Sequence, residues 1–201
     1  MVGKYELCFL FPLNIRNVGL EFDEKCLFDL VIVQSHLKGK GANFVRDWNQ
    51  YKNGFGAVEQ QNYWIGLQKL HEITDSGSYG LQIVLKMNGG DVKVVEYDSF
   101  RVTGENEKYK LLVSGFRPGD SGLTDRLSYH NGRAFSTYDS DNDIYDTTSC
   151  SRHYGSAGWW FGRCFHSHLN HPNGPSWVGS TTFEEESTMI LIKSKPNKMV
   201  D

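Results

Sequence analysis

The chain has 201 residues, of which 39% are hydrophobic and 13% aromatic, and its formal net charge is -3 at pH 7. This length suits one large domain with its own core, or at most two small ones. Because the charge is small and no run of Lys or Arg stands out, the composition gives no indication of binding to nucleic acid or to an anionic membrane. No stretch approaches the roughly 20 apolar residues that a membrane-spanning helix needs.

The chain begins with a short apolar run, Leu7 to Leu13. A secretory signal needs a longer apolar region and a small-residue cleavage site, and both Glu6 and Pro12 argue against one. We therefore expect no working signal peptide within this sequence.

The predicted secondary structure of the first half consists of short strands and short helices. Val31 to Gln34 is a β-branched run that predicts a strand. Phe44, Trp48 and Tyr51 then recur at helical spacing, and Asn53-Gly54 ends that helix. A second short helix is predicted around His71 to Thr74.

The middle of the sequence predicts a β-hairpin. Tyr79 to Met87 and Val92 to Phe100 have the pattern of strands, and Asn88-Gly89-Gly90 forms a tight turn between them. Further strands are expected at Tyr109 to Phe116 and at Met189 to Ile192. The long stretch from Pro118 to Pro175 is rich in loop-forming residues, and we expect a metal or a disulfide to support it.

A disulfide bond between cysteines is one possible support for this loop-rich stretch. The chain has Cys8, Cys26, Cys150 and Cys164, with no C-x-x-C pair among them. Four cysteines allow three pairings, of which the local one joins Cys8 to Cys26 and Cys150 to Cys164. Two disulfides would imply an oxidising compartment, whereas four buried thiols are the alternative.

A metal ion is the other possible support, and three alternating aspartates could hold it: Asp139, Asp141 and Asp143. Their carboxylates repel one another unless a cation lies between them, and calcium prefers oxygen ligands of this kind. The alternative is a solvated turn without a metal. An EF-hand loop starting at Asp139 is excluded, because its sixth and twelfth positions hold Ile144 and Cys150 rather than Gly and Glu.

Several motifs in order resemble the fibrinogen C-terminal-like domain, the recognition domain of ficolins, tachylectins, angiopoietins and tenascins. They are F-V-R-D-W-N-Q-Y-K-N-G-F-G, Y-W-I-G-L, L-H-E-I-T, H-N-G-R-A-F-S-T-Y-D-S-D-N-D, G-W-W-F-G-R-C and S-H-L-N. The resemblance implies an α+β fold with a central, mostly antiparallel sheet, short helices and a loop-rich subdomain for calcium and ligand. It divides the sequence into an atypical segment (1–25), the domain (26–196) and a polar tail (197–201).

The resemblance also implies a calcium site. Carried over, the side chains of Asp141 and Asp143 and the carbonyls of Tyr145 and Thr147 hold Ca²⁺, which leaves Asp139 outside. It implies a Cys150–Cys164 disulfide, and a Cys8–Cys26 bridge would imitate the family's first disulfide.

A ligand pocket is implied next to the calcium, with a cis peptide bond between Arg163 and Cys164. The amides of Cys164 and Phe165 correspond to those that hold an acetyl oxygen, and Tyr154 corresponds to an aromatic wall. Arg163 and His166 complete the predicted ligand-binding set. This protein departs from the family where Phe165 replaces a histidine, and where a segment is missing after Leu169 to His171.

These features predict a secreted, non-enzymatic, calcium-stabilised lectin of the innate-immune type that binds acetylated sugars. A module that binds a receptor or matrix protein, as in angiopoietins or tenascins, is the alternative, and clustering as a homo-oligomer would strengthen a weak site. Two other motifs are less specific. Gly119-Asp120-Ser121-Gly122 matches the kernel of a serine-protease motif without its other elements, and His166, His168 and His171 could converge on zinc.

Overall fold

The computed structural model describes residues 30–39, 43–177 and 182–194. These residues form an α+β fold whose strands pair in an antiparallel manner throughout. The strands are β1 (Leu30–Leu37), β2 (Phe55–Ala57), β3 (Asn62–Trp64), β4 (Tyr79–Lys86), β5 (Val92–Val102), β6 (Leu111–Arg117) and β7 (Glu186–Lys193), and the α-helices are α1 (Trp48–Asn53), α2 (Leu67–Asp75) and α3 (Cys150–His153). In these ranges no helix has the length and apolar character that crossing a membrane requires.

The seven strands form one sheet in the order β2-β3-β1-β7-β4-β5-β6. The last of these strands in sequence therefore lies in the middle of the sheet, between the first strand and the predicted hairpin. That hairpin is present: β4 and β5 pair from Leu81–Tyr97 to Lys86–Val92, and Gly89 and Gly90 have positive φ in the turn.

Helix α1 begins four residues later than the apolar spacing predicts. Asp47 is the N-cap of the helix. Its side chain accepts a hydrogen bond from the Gln50 N–H, and the Gln50 side chain accepts one from the Asp47 N–H. This capping box fixes the start of the helix at Trp48. Phe44, which suggested the earlier start, is buried in the core outside the helix.

The core lies on one face of the sheet and is rich in aromatic rings. Tyr51 and Trp64 pack edge to face with centroids 5.6 Å apart, and Phe135 lies 5.2 Å from Trp160. Gly158 passes between these rings, where a Cβ atom would lie 2.6 Å from Phe135. Close approach of the loop region to the sheet thus requires a residue without a side chain at this position.

The loop-rich stretch after β6 is tied to this core at a few points. Ser136 and Trp159 form an isolated bridge with two backbone hydrogen bonds of 2.9 and 3.1 Å. Trp159 and Trp160 are fully buried and belong to the hydrophobic core. The indole N–H of Trp160 donates to the Tyr109 carbonyl at 2.8 Å.

Candidate functional site

A disulfide joins the two ends of the candidate site. Cys150 opens helix α3 and is bonded to Cys164, with Cα atoms 5.4 Å apart. The peptide bond between Arg163 and Cys164 is cis, as the resemblance implies. The other predicted bridge, Cys8–Cys26, lies outside the described residues.

The first aspartate of the loop is bonded to protein groups. One oxygen of Asp139 accepts hydrogen bonds from the Trp48 N–H at 3.0 Å and from the Thr137 hydroxyl at 2.7 Å. This attaches the loop to the start of α1. Asp139 therefore has a structural role in this loop.

A second anchor lies at Asn142. Its amide group donates to the Phe135 carbonyl at 2.9 Å, and its backbone N–H donates to the Ser136 hydroxyl at 3.0 Å. On the other side, Arg152 of α3 donates to the Tyr138 carbonyl at 2.6 Å. The hydrogen bonds of Asp139, Asn142 and Arg152 thus attach the loop that carries the remaining aspartates to the rest of the domain.

Asp141 and Asp143 lie close together at the tip of this loop. The Asp143 carboxylate accepts from the backbone N–H groups of Tyr145 and Cys150, each at 2.8 Å, and the Asp143 N–H donates to Asp141 at 3.3 Å. Burial raises the pKa of Asp143 and the neighbouring Asp141 carboxylate raises it further, although the two backbone N–H groups act against this. Among the described ion pairs, none involves either carboxylate.

These residues fit a hard cation. Two close carboxylates without a basic partner supply the ligand chemistry that calcium prefers. The Tyr145 carbonyl accepts one hydrogen bond, from the Thr148 N–H at 3.1 Å, and a carbonyl oxygen has a second lone pair. Within the described ranges, no group of three or more His, Cys, Asp or Glu side chains is placed to hold a metal. A cation here would therefore need backbone carbonyls, such as those of Tyr145 and Thr147, and water.

An aromatic pair stands beside the disulfide. The rings of Tyr154 and Phe165 pack edge to face with centroids 4.9 Å apart, and both are half-buried. The other two predicted ligand residues point to different partners: the Arg163 guanidinium lies 4.9 Å from the centre of the Tyr145 ring, and His166 stacks on Tyr129 at 3.9 Å. We call the surface formed by Tyr154, Arg163, Cys164, Phe165 and His166 the cysteine face.

Two adjacent backbone donors of the cysteine face have no acceptor among the described residues. The Gly162 N–H donates to the Cys164 carbonyl at 2.7 Å, and the Arg163 N–H donates to the Tyr129 hydroxyl at 2.8 Å. The N–H groups of His166 and Ser167 donate to the His130 ring at 3.4 and 3.2 Å. The N–H groups of Cys164 and Phe165, between them, donate no hydrogen bond to any described residue. Such neighbouring donors suit an oxygen atom of a ligand.

The ring of His130 is hydrogen-bonded to this backbone, and no sequence pattern predicted it as a site residue. Its Nδ1 is 2.6 Å from the Trp160 carbonyl, while its Nε2 accepts from the backbone N–H groups of His166 and Ser167. Burial lowers the pKa of His130 to about 3, so the ring is neutral and can both donate and accept. The motif H-N-G contains this residue, but its partners lie 30 or more positions away, which local sequence does not reveal.

The two less specific motifs form neither a zinc site nor a protease arrangement in the described residues. His166 lies on Tyr129, whereas His168 is buried and packs 5.3 Å from His171, so the three histidines do not converge. The Ser121 hydroxyl donates to the Pro118 carbonyl at 2.6 Å and accepts from the Leu123 N–H, as expected of a turn residue.

A turn replaces the segment that is missing after Leu169. The Gly174 N–H donates to the His171 carbonyl at 2.9 Å, and His168 and Ser176 pair on either side of this turn. Pro172 lies so close to Gly155 that a Cβ atom there would be 2.4 Å from the proline ring. The short turn therefore packs against the loop that follows Tyr154.

Comparison with known proteins agrees with this geometry. The family model of the C-terminal globular domain of the fibrinogen beta and gamma chains matches residues 28–191. Angiopoietin-related protein 2 of Homo sapiens is 40% identical in an alignment of 180 residues that covers 83% of this chain and 35% of the relative. The sequence thus spans about a third of the length of that relative.

Solved structures give the same result. The fibrinogen-like globe domain of human ANGPTL2 superposes with a TM-score of 0.74 at 32% identity, covering 84% of this chain and 80% of that domain. A lamprey fibrin D-dimer, in complex with the peptide Gly-His-Arg-Pro-amide, superposes with a TM-score of 0.70 at 25% identity, covering 86% of this chain and 66% of its own.

Proposed function

Since the protein belongs to the family defined by the C-terminal globular domain of the fibrinogen beta and gamma chains, we propose that it is a non-enzymatic recognition domain that binds a protein ligand through the cysteine face. The observation that carries this proposal is the pair of unused N–H donors at Cys164 and Phe165, beside the ring pair of Tyr154 and Phe165. The donors suit a carbonyl or carboxylate oxygen, and the rings suit an apolar group. A single residue of a peptide presents both a carbonyl oxygen and an apolar side chain.

Two comparisons support a protein ligand rather than a sugar. The similar relatives include an angiopoietin-related protein, and the lamprey fibrin D-dimer was solved with a peptide ligand. Phe165, in place of the family's histidine, also makes the wall of the site more apolar. The predicted lectin function is the second candidate, because the same two donors would also hold the oxygen of an acetyl group.

Calcium belongs to the same proposal. The side chains of Asp141 and Asp143 and the carbonyls of Tyr145 and Thr147 would hold it, and the ion would relieve the repulsion between the two carboxylates. The Asp143 carboxylate already accepts from the Cys150 N–H, so fixing the carboxylate also fixes the start of α3 and the disulfide. We propose that this couples the metal loop to the cysteine face. The disulfide suits an extracellular location, and clustering of copies would strengthen a weak single site.

Selection from a phage-displayed library of linear peptides tests the protein-binding function. The bait is the full-length protein in calcium, and the Phe165→Ser variant serves for counter-selection. Val92→Ser is the matched control, because Val92 is an exposed apolar residue on β5. We expect peptides that bind the wild type and the control equally, and Phe165→Ser about 5- to 30-fold more weakly, since the ring supplies about 1–2 kcal/mol of contact.

Chromatography on N-acetylglucosamine resin distinguishes the two candidates. Retention in calcium with elution by acetate, together with no enriched peptides, would establish the lectin function instead. If peptides bind Phe165→Ser as well as the wild type, the cysteine face is not the binding surface.

A further inference from the structure

Strand β5 extends beyond its neighbour β6. It pairs with β4 from Val92 to Tyr97, but its pairing with β6 starts only at Glu96, which lies opposite Arg117. Residues 92–95 of β5 therefore have a partner strand on one side and, among the described strands, none on the other. We call this stretch, on its side away from β4, the open edge.

Two residues direct their backbone groups out of the open edge. In an antiparallel pair of strands, residues that exchange hydrogen bonds alternate with residues that do not. The Met87 N–H donates to the Asp91 carbonyl at 2.8 Å, so Asp91 and, two residues on, Lys93 direct their backbone groups towards β4. Val92 and Val94 direct theirs to the opposite side, where no described residue bonds to them.

A turn after β6 leaves the open edge uncovered. Pro118 follows the last residue of β6, and proline has no N–H group to donate to a neighbouring strand. The N–H and the hydroxyl of Ser121 both donate to the Pro118 carbonyl, at 3.1 and 2.6 Å, and Gly119 and Gly122 have positive φ. The Gly-Asp-Ser-Gly motif therefore turns the chain away from β5 instead of continuing beside it.

The open edge and this turn are the two walls of a cleft with a volume of about 400 Å³. Residues 91–94 line one wall, and Asp120 and Ser121 line the other. The Lys93 ammonium group joins the walls, because it donates to the Ser121 carbonyl at 2.9 Å. Val92 is 41% exposed. The volume falls within the roughly 300–1,000 Å³ of typical ligand sites.

Two exposed carboxylates at the cleft favour a basic partner. Asp91 and Asp120 both line the cleft, and neither belongs to an ion pair among the described residues. Lys93, which lies between them in the lining, donates to a carbonyl group. Pairing of two copies of this protein through the open edge would bring like carboxylates together, which is unfavourable. A strand that ends in Lys or Arg would instead bring the opposite charge.

We propose that the open edge binds an extended segment of a partner protein, which adds as a strand beside β5 and has alternating β-branched residues and a Lys or Arg residue at its end. Its backbone would exchange hydrogen bonds with Val92 and Val94, which is the usual mode of strand addition. β-branched residues suit the positions opposite these valines, because directly opposed side chains contact each other. The open edge shares no residue with the cysteine face, so this proposal is independent of the ligand proposed there.

Selection from a phage-displayed library of linear peptides supplies the probes that test the proposal. The bait is the full-length wild-type protein, and Val92→Pro serves for counter-selection because proline lacks the outward N–H. Val92 is the first residue of β5, a position where strands accept proline, and circular dichroism checks the fold. We expect enriched peptides with alternating β-branched residues that bind Val92→Pro at least about fivefold more weakly than the wild type. Val92→Thr keeps the N–H and the branched side chain and should restore binding.

A second measurement uses the wild-type protein alone. Methylation of those backbone nitrogens of a selected peptide that face β5 should weaken binding at least about tenfold, whereas methylation of the intervening nitrogens should have little effect, because only every other N–H of a strand faces its neighbour. Charge is tested separately: Asp91→Asn with Asp120→Asn should weaken binding of the same peptide several-fold at low salt and less at high salt.

Three results would overturn the proposal. Peptides that bind Val92→Pro as well as the wild type, or no enriched peptides, would show that the open edge is not a binding site. Equal losses from the two methylation patterns would exclude a bound strand. A wild-type dimer on gel filtration that Val92→Pro converts to a monomer would assign the open edge to a second copy instead.

Discussion

Lowering the pH from 7 to 5 should destabilise the protein through its buried histidines. Burial lowers the pKa of His36 to about 4 and of His130 to about 3, from an ordinary value of 6.5. Both rings are nearly inaccessible, and each has its Nδ1 against a backbone carbonyl, at 2.8 Å for His36 and 2.6 Å for His130. Below pH 6.5 the unfolded protein therefore binds protons that the folded protein does not.

The magnitude follows from this difference in protonation. A group with a depressed folded pKa gives stability that is present above the unfolded pKa and is lost as the pH falls towards the folded value. At pH 5 the loss is about 2 kcal/mol for each histidine, or about 4 kcal/mol for the pair. This is a large part of the roughly 5–15 kcal/mol that stabilises a typical domain. Burial also lowers the pKa of His168 and His171, which act in the same direction.

Urea unfolding followed by tryptophan fluorescence at pH 7, 6 and 5 measures the effect. Asp143 and Glu186 have raised pKa values and act in the opposite direction, so a variant is needed to isolate the histidines. His36→Gln should remove about 2 kcal/mol of the pH dependence between pH 7 and 5. His153→Gln, a change at an exposed position, is the matched control. An unchanged pH dependence in His36→Gln, relative to the wild type, would refute the reasoning.

Three further predictions concern the metal loop and the core. Calcium should raise the melting temperature of the wild type in differential scanning fluorimetry, whereas Asp141→Ala with Asp143→Ala should not respond; an equal response in both proteins would contradict the proposed site. Asp139→Ala should lower the free energy of unfolding by about 1–3 kcal/mol, because the Trp48 N–H and the Thr137 hydroxyl lose their acceptor. Asp139→Asn keeps that oxygen and should cost less in the same urea titration, so an equal loss would argue against these bonds. Gly158→Ala should lower the free energy of unfolding by about 1–3 kcal/mol, because its Cβ would lie 2.6 Å from Phe135 and 2.7 Å from Tyr51. Gly77→Ala is the control and should be close to neutral, because the nearest neighbour of its Cβ is 3.6 Å away. Similar losses of stability in the two variants would show that the contact at Gly158 relaxes easily.

Local patterns in the sequence predict most of the regular structure. The alternation in Tyr79 to Met87 and Val92 to Phe100, with Asn88-Gly89-Gly90 between them, contains the whole hairpin, because the turn and both strands lie within a few residues. The same kind of pattern predicts too early a start for α1. Apolar spacing alone does not distinguish a helical residue from a buried one just before the helix, and the capping box at Asp47 decides it.

Long-range contacts explain what the sequence did not predict. Nothing local indicates that β7 lies between β1 and β4, since β1 and β7 are separated by most of the sequence. Cysteine spacing allowed the disulfide at Cys164 as one of several pairings, and only resemblance to a family selected it and predicted the cis bond. The support that His130 and Tyr129 give to the cysteine face depends on partners more than 30 residues away.

The central position of β7 has a consequence for how the protein is made. Among the described strands, β1 and the hairpin of β4 and β5 do not pair with each other, and β7 links them. A ribosome adds about 5–20 residues per second, so β1 must wait on the order of ten seconds for the strand that completes it. During that time its hydrogen-bonding edge is open to other proteins. A premature stop codon before residue 186 would therefore remove the link between the two halves of the sheet rather than merely shorten it.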